Sequence, residues 1–330
     1  MSFKSLHRIN EVLLLLADAQ FHSGQALGEA LGITRSAINQ HIQKLLELGV
    51  DIYSVQGKGY RLAQPIELLD SHVIASYNRM PVDQLQVHSV VTSTNDELKH
   101  YRRSNSLNNG YVFFAEAQTA GRGRRGRTWL SPFGSNLYMS VYWKVELGVN
   151  AAMGMSVAVG IAIAAALRHM GIADAGVKWP NDVYVHGKKI AGVLIDIESC
   201  DDGTADCIVG IGLNIDMPAT IATQIDQQWT DVATELVEPW SRNEVAATLY
   251  RYTVNYLQQF SKHGLSPLIE QWTKLDVYFN KPVKLIMGNR EVRGLCRGID
   301  EFGAVLIDNG DQVVRYFGGE LSLRGDDAAY

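Results

Sequence analysis

Apolar residues in the first sixty positions recur at the spacing of helices that bury one face. One such face is formed by Leu6, Ile9, Leu13 and Leu16. A short helix around Leu27 follows. After the turn "GIT" a third helix begins, which Thr34 caps and Gly49 ends. The alternating stretch "VDIYSVQGKGYRLA" then predicts a β-hairpin. Three helices and a hairpin in this order predict a winged helix-turn-helix.

The outward face of the third helix and the hairpin turn carry side chains that bond base edges and phosphates. The candidate DNA-binding residues are Thr34, Arg35, Ser36, Asn39, Gln40, Gln43, Lys44 and Lys58. Their placement favours DNA binding. The alternative is a three-helix packing module whose polar residues serve solubility.

From Pro65 onward, strands and helices alternate. The uncharged residues 147–167 are rich in alanine and glycine, which predicts a helix buried in an α/β domain rather than a membrane segment. After Trp272, short alternating strands predict a small β-barrel. The fold class is therefore α+β. The predicted domains are a winged helix-turn-helix at 1–64, a mixed-sheet α/β domain at 65–272 and a barrel at 273–330.

The composition fits a globular protein in a reducing compartment. The chain has 330 residues, of which 46% are hydrophobic and 20% charged, as in ordinary soluble proteins. A formal charge of −5 argues against general nucleic-acid binding, so any DNA contact is expected to be local. Cys200, Cys207 and Cys296 have neither metal-ligand spacing nor even pairing, and no signal peptide opens the chain. We expect a cytoplasmic protein without disulfides.

The stretch "TAGRGRRGRTWLSPFGSNLYMS" at 119–140 packs four arginines between glycines, with no acid among them. It imitates G-x-G-x-x-G and nearly a P-loop. However, Pro132, Gly134 and the aromatic run after them exclude the helix that both motifs need. A flexible cationic loop that wraps a phosphate-bearing ligand is the favoured interpretation. A solvated loop without function is the alternative.

Two other stretches place polar residues beside predicted strands. In "STN" at 93–95, hydroxyl groups either cap the following helix, with Asp96 or Glu97 completing a capping box, or grip an uncharged polar group of a ligand. In "KWPNDVYVHGKKIAGVLIDI", Lys189 begins a strand that contains Gly192. A glycine inside a strand often marks the close approach of a ligand or of another backbone segment. A solvated turn explains Lys189 equally well.

Together these stretches resemble the motif series of the biotin–protein ligases: "STN" (93–95), "EAQTAGRGRRGRTWLSPFGSNLYMS" (116–140), "KWPNDVYVHGKKIAGVLIDI" (178–197) and "VGIGLNI" (209–215). The predicted winged helix resembles that of the bifunctional class, which is both ligase and repressor of the biotin operon. Lipoate ligases share the general fold but lack this arginine-glycine loop. The resemblance implies a class II synthetase-like central sheet and an SH3-like C-terminal barrel.

The resemblance also implies a reaction. Biotin is joined to the α-phosphate of ATP, and the biotinyl-AMP then acylates a lysine of the biotin carboxyl carrier protein of acetyl-CoA carboxylase. Because the biotin carboxylate is already ionised at neutral pH, the first step needs cations, Mg²⁺ included, rather than a base. For the second step, Asp182 as a base and simple desolvation of the lysine remain open.

The resemblance assigns residues to three roles. The implied catalytic residues are Lys189, Arg122, Arg124 and Asp182. Those implied for biotin and biotinyl-AMP are Ser93, Thr94, Asn95, Gln118, Arg122, Gly123, Arg124, Trp129 and Lys189. Those implied for ATP are Arg125, Arg127, Lys178, Asn181, Asn214 and Trp229, with Trp229 closing over adenine. No metal ligand is assigned. Leu130 stands where the family often has an aromatic residue.

The bifunctional class implies three partners: the carrier protein, operator DNA of biotin biosynthesis genes, and a second copy of the chain when biotinyl-AMP is bound. No membrane partner is expected. Two alternatives remain, a biotin-sensing repressor without catalysis and a ligase without DNA binding.

Overall fold

The fold was analysed in a computed structural model that describes residues 3–145, 151–200, 203–287, 290–317 and 321–325. The helices are α1 (Phe3–Leu16), α2 (Gly24–Leu31), α3 (Arg35–Glu47), α4 (Ser71–Asn78), α5 (Thr94–Ser104), α6 (Ala151–His169), α7 (Ala219–Ala222), α8 (Val232–Glu235), α9 (Arg242–His263) and α10 (Ile269–Leu275). The strands are β1 (Ile52–Val55), β2 (Gly59–Leu62), β3 (Leu85–Val91), β4 (Val112–Gln118), β5 (Leu137–Val145), β6 (Gly176–Lys178), β7 (Asp182–Val185), β8 (Lys188–Ser199), β9 (Ala205–Leu213), β10 (Pro282–Met287), β11 (Arg290–Ile299), β12 (Val305–Asp308), β13 (Val313–Tyr316) and β14 (Leu321–Gly325).

The N-terminal helices and hairpin confirm the predicted winged helix-turn-helix. Thr34 caps α3 by accepting a hydrogen bond from the Ala37 amide, and Gly49 follows the helix with a φ of 85°. The predicted core face contains Ile9, Leu13 and Leu16, all buried, whereas the side chain of Leu6 lies outside the described residues. On α3 the buried stripe consists of Ile38, Ile42 and Leu45, and Leu46, which lies beside it, is 40% exposed.

The central domain is built on a seven-stranded sheet in the order β3-β4-β5-β9-β8-β7-β6. β3 and β4 are parallel and all other neighbours are antiparallel, so the predicted mixed sheet is confirmed. Helices cover both faces, since α6 and α9 pack on one and α5 on the other. Successive side chains of β4 point to opposite faces of the sheet. Phe114 faces the large core, while Phe113 packs with Leu98 of α5.

Helix α6 lies in the large core, as its composition predicted. Residues 154–167 are almost entirely buried, while residues 147–150 lie outside the described part of the chain. Within the described ranges, no helix is both long and apolar enough to cross a membrane.

The C-terminal strands form an antiparallel sheet in the order β13-β12-β11-β10-β14, which supplies the strands of the predicted barrel. This sheet is tied to the central domain by the indole of Trp179, which donates a hydrogen bond of 2.9 Å to the carbonyl of Gly303. The predicted boundary between residues 272 and 273 falls inside α10. The domain limits themselves stay predictions.

Candidate active site

One pocket gathers residues that are far apart in the sequence. It lies where the start of α5, the arginine loop and strands β8 and β9 meet. It is lined by Ser93, Thr94, Asn95, Gln118, Arg122, Gly123, Arg124, Trp129, Asn181, Lys189, Gly192, Val193, Leu194, Gly210, Ile211 and Gly212. All nine residues predicted for biotin are among them. We call this the first pocket.

The polar end of the first pocket is an ordered set of hydroxyl and amide groups. The backbone amide and the hydroxyl of Thr94 both donate to Gln118 Oε1, at 2.9 and 3.2 Å, and Gln118 Nε2 donates to the hydroxyl of Ser131 at 3.0 Å. Ser93 is 4% exposed and makes no side-chain cap for α5, so the predicted capping box at Ser93 is wrong. This end suits a polar, uncharged group that both donates and accepts hydrogen bonds.

Ser140 belongs to this polar end but was not singled out in the sequence. Its hydroxyl is fully buried and lies 2.7 Å from Thr94 Oγ1 and 2.6 Å from Asn95 Oδ1. A serine inside the otherwise apolar run "LYMSVYW" of β5 was the available signal, because a buried polar group needs a partner.

Glycines in β8 and β9 form the floor of the first pocket. A Cβ added to Gly212 would overlap the indole of Trp129, and one added to Gly210 would overlap the amide of Asn95. At Gly192 the added Cβ would lie 3.3 Å from the same indole. The neighbours of Gly192 are thus the side chains of Trp129 and Lys189, and the approach of a ligand there stays a prediction.

Two cationic groups stand beside Trp129. Lys189 Nζ lies 2.7 Å from Asp182 Oδ1 and 5.4 Å from the centroid of the Trp129 ring. Arg124 is half-buried, and burial, with the nearby Arg125, lowers the pKa of its guanidinium, which nevertheless stays charged at neutral pH. The pocket lining thus includes two cationic side chains, of which Lys189 shares its charge with Asp182.

The arginine loop closes on itself as a hairpin, which we call the arginine hairpin (residues 121–129). Arg122 pairs with Thr128 in an antiparallel bridge, and the Gly123 amide donates to the Arg127 carbonyl at 2.7 Å. The tip turns through Arg125 and Gly126, at φ values of 59° and 72°. These backbone pairings join the two arms of the hairpin, and the flexibility expected of this loop stays a prediction.

A second pocket adjoins the first and shares Trp129 and Lys189 with it. Its lining is Arg127, Thr128, Trp129, Leu130, Lys189, Asn214, Met217, Gln224, Ile225, Asp226, Gln227 and Trp229. Trp229 is anchored by a parallel bridge to Lys189. The Asn214 side chain is buried and donates to the Thr230 carbonyl at 3.1 Å, so it holds this segment in place.

The residues predicted for ATP are divided among four places. Arg127, Asn214 and Trp229 line the second pocket, and Asn181 lines the first. Arg125 lies exposed at the hairpin tip. Lys178 lines neither pocket, because its ammonium donates to the Tyr184 hydroxyl at 3.0 Å and lies 4.6 Å over that ring.

The candidate DNA-binding residues share the outer surface of the winged domain. Lys44 is half-buried, and the others, Thr34, Arg35, Ser36, Asn39, Gln40, Gln43 and Lys58, are exposed. The Asn39 amide oxygen also accepts a hydrogen bond from the Tyr60 hydroxyl at 3.2 Å, which joins α3 to the wing.

Comparison with known proteins places these features in families. Residues 87–216 match the biotin/lipoate A/B protein ligase family, residues 8–61 an HTH domain and residues 278–324 the biotin protein ligase C terminal domain. The chain is 43% identical to the bifunctional ligase/repressor BirA of Salmonella typhimurium and 42% identical to that of Escherichia coli, over 95% of this chain and 96% of each relative. The solved biotin protein ligase from Aquifex aeolicus, in complex with biotin and ATP, has a TM-score of 0.63 and 28% identity, and covers 73% of this chain and 99% of its own.

Proposed function

Because the chain belongs to the bifunctional biotin protein ligases with an N-terminal helix-turn-helix domain, we propose that it makes biotinyl-AMP and transfers the biotin to a carrier lysine. The single observation that supports this most is the gathering of all nine predicted biotin residues around the first pocket. The second pocket, which shares Trp129 and Lys189, lies where the nucleotide would have to sit.

In the first step, a biotin carboxylate oxygen attacks the α-phosphorus of ATP, and the bond to the bridging oxygen of the β-phosphate breaks. Pyrophosphate leaves, and no proton is transferred. The barrier is the approach of an anion to a polyanion, so fixed cations lower it. Lys189 stands at the junction of the two pockets, and Arg124 lines the first beside it. We assign both to the developing charge at the α-phosphate.

Biotin would lie with its ureido ring against Ser93, Thr94, Asn95 and Gln118 and its apolar body over Trp129. The ureido group both donates and accepts hydrogen bonds, which matches the hydroxyl and amide groups at that end. Trp129 excludes water from the carboxylate end, where the mixed anhydride would otherwise hydrolyse.

Magnesium enters with ATP in this proposal. Among the described residues, no three His, Cys, Asp or Glu side chains cluster as a metal site. Mg²⁺ in nucleotide sites needs one or two carboxylates besides phosphate oxygens. Asp182 fits as such a carboxylate, since it lies beside Lys189 and is largely buried. The ion would supply further neutralisation of phosphate charge.

In the second step, the neutral amine of a lysine on the biotin carboxyl carrier protein attacks the acyl carbon, and AMP leaves with the bonding electrons. The amine loses one proton in the process. Asp182 pairs with Lys189, so its use as the base requires that this ion pair open. Desolvation of the acceptor lysine stays the alternative.

The test of the ligase function is transfer of labelled biotin to a carrier domain of acetyl-CoA carboxylase with ATP and Mg²⁺. We expect one AMP and one pyrophosphate per biotin transferred. Tight biotin binding with no AMP formed would instead support a sensor that lacks catalysis.

The repressor function adds operator DNA of biotin biosynthesis genes and a biotinyl-AMP-dependent homodimer. It is supported by the exposed polar face of α3 and by the relatives named ligase/repressor. One winged helix binds DNA weakly, whereas two on one two-part site gain avidity. A gel-shift assay should show affinity that falls with salt, because phosphate contacts release counterions. DNA binding that ignores biotinyl-AMP, or equal dimerisation with and without it in ultracentrifugation, would contradict the switch.

The cytoplasmic location predicted from cysteine usage is part of the same proposal. Cys200, Cys207 and Cys296 are free thiols, and two of them are buried. Burial raises the pKa of the Cys207 and Cys296 thiols to about 12, so both are unreactive at neutral pH.

A further inference from the structure

We infer that Asp96 and Asp196 are positioning residues that hold Arg122, and with it the arginine hairpin, closed over the first pocket. The inference rests on the proposed function, because it takes biotin and its adenylate as the ligands of that pocket. Neither carboxylate lines the pocket, so both act through another residue.

One guanidinium nitrogen makes both contacts. Arg122 Nη2 donates to Asp96 Oδ1 at 2.6 Å and to Asp196 Oδ2 at 3.0 Å. Asp96 lies in the first turn of α5, and Asp196 lies in β8. Both elements carry pocket-lining residues, namely Asn95 on α5 and Leu194 on β8. Arg122 therefore fastens the base of the hairpin to two separate walls of the pocket.

This arrangement changes the part that Arg122 plays. Lys189, which we assign to the phosphate, shares its charge with one carboxylate, that of Asp182. At Arg122, two carboxylates surround a single positive charge. Arg122 thus serves closure of the hairpin, and neutralisation of phosphate is left to other cations of the site.

Asp196 has a second effect, on the amide of Asn95. Its Oδ2 also accepts from Asn95 Nδ2 at 3.1 Å, and the same Nδ2 donates to the Leu194 carbonyl at 3.2 Å. Since an ionised carboxylate can only accept, the Nδ2 end must face it. The Oδ1 end then accepts a hydrogen bond from the Ser140 hydroxyl at 2.6 Å, while Asn95 lines the pocket. Asp196 accordingly fixes Asn95 as an acceptor for a donor group of the ligand, such as a ureido N–H.

The two contacts differ in exposure, which sets the size of the expected effects. The side chains of Arg122 and Asp96 are 44% and 46% exposed, and that of Asp196 is 23% exposed. Ion pairs so close to solvent contribute little to folding. They affect ligand release nevertheless, because release requires the hairpin to open and these pairs to break.

The experiment measures the dissociation of preformed, labelled biotinyl-AMP from the full-length protein, together with the steady-state constants for biotin. For Asp96→Asn we expect release to be about two- to fivefold faster, the range of an exposed ion pair. The biotin KM should rise and kcat should stay close to native, because closure affects binding of both states alike. Asp196→Asn should have the larger effect, since it also frees Asn95, and Asp196→Glu should stay near native.

Glu198→Gln is the matched control. Glu198 lies two residues further along β8, and its carboxylate pairs with Lys99 and Arg103, outside the pocket. The Glu198→Gln variant should release biotinyl-AMP at the native rate. The second control is the double variant Arg122→Ala, Asp96→Asn. Because Asp96 acts through Arg122, the double variant should release biotinyl-AMP at the same rate as the single variant Arg122→Ala.

Native release rates in both Asp96→Asn and Asp196→Asn would overturn the inference, as would an Asp96→Asn effect that persists without Arg122. These outcomes leave the proposed function standing. It fails separately if the native protein, given biotin, ATP and Mg²⁺, forms no biotinyl-AMP at all.

Discussion

At the scale of single residues, the site depends on a few side chains held by specific neighbours. Lys189 illustrates this, since its backbone amide donates to the Gln228 carbonyl while its ammonium reaches Asp182. The strand and the Trp229 segment are thereby joined at the one lysine that lines both pockets. Its neighbour Lys188 is exposed at the turn between β7 and β8.

Lys189→Ala should reduce adenylate formation by about a hundred- to a thousandfold, the cost of losing one preorganised charge contact in a transition state. Biotin-dependent pyrophosphate exchange measures it, with thermal unfolding as a check that the fold is intact. The adjacent Lys188→Ala should exchange at the native rate. Normal exchange in Lys189→Ala would remove this lysine from the chemistry.

Gly212→Ala should weaken biotin binding by about tenfold or more, because the new methyl group displaces Trp129 from the sheet. Calorimetric titration with biotin provides the measurement. Gly160→Ala, where the added Cβ would meet only ordinary contacts of 3.9 Å, serves as the control and should bind normally. Unchanged affinity in Gly212→Ala would mean that Trp129 does not contact biotin.

At the scale of elements, one carboxyl group holds the chain at the end of α10. Asp276 follows this helix and accepts hydrogen bonds from the Tyr278 amide at 2.9 Å and from the Trp272 indole at 3.3 Å. Burial raises the pKa of Asp276 to about 6 from its ordinary value of 3.8. The folded state thus favours the protonated acid.

This sign fixes a pH dependence. Because the folded pKa is raised, the stability contributed by Asp276 is fully present below pH 3.8 and is lost as the pH rises through about 6. Asp276→Asn should flatten this part of the curve of melting temperature against pH. Asp308→Asn should instead remove a loss of stability on the acid side of the curve. Arg297 lowers the pKa of Asp308, so the stability that Asp308 contributes is lost as the pH falls. A native profile in Asp276→Asn would contradict the assignment.

At the scale of the whole molecule, the segment after the arginine hairpin joins the site to the winged domain. Phe133 is fully buried among core residues of that domain, and its amide donates to the Leu48 carbonyl at 2.9 Å. The linker between the winged domain and the central domain, residues 63–70, is held by the start of α9. Glu67 accepts hydrogen bonds from Ser241 and Asn243 at 2.7 Å each. The two domains therefore share one packed boundary.

Phe133→Ala should cost about 3–5 kcal/mol of stability and detach the winged domain, because it empties a buried site at this boundary. Limited proteolysis should then cleave residues 63–70 faster than in the native protein. Phe113→Ala makes the same chemical change in the small core with Leu98, so it should destabilise without exposing the linker. Equal cleavage in both variants would mean that Phe133 does not hold the domains together.

Local spacing in the sequence determined the elements of the winged domain. Periodicity predicted the helices of the winged domain, and Thr34 caps its helix as the pattern indicated. The arginine and glycine residues predicted an anion-binding loop. These features depend on neighbours within a few positions, which a sequence displays directly.

The tertiary structure alone decided which distant residues meet. The acids that hold Arg122 lie 26 positions before it and 74 after it, and sheet order brings them together. Lys178 turns to Tyr184 instead of a pocket. Ser140 becomes part of the site because β5 lies between β4 and β9 in the sheet, where its hydroxyl meets Thr94 and Asn95 of α5. Strand order is settled by the packing of the whole core, so no local pattern of residues reveals it.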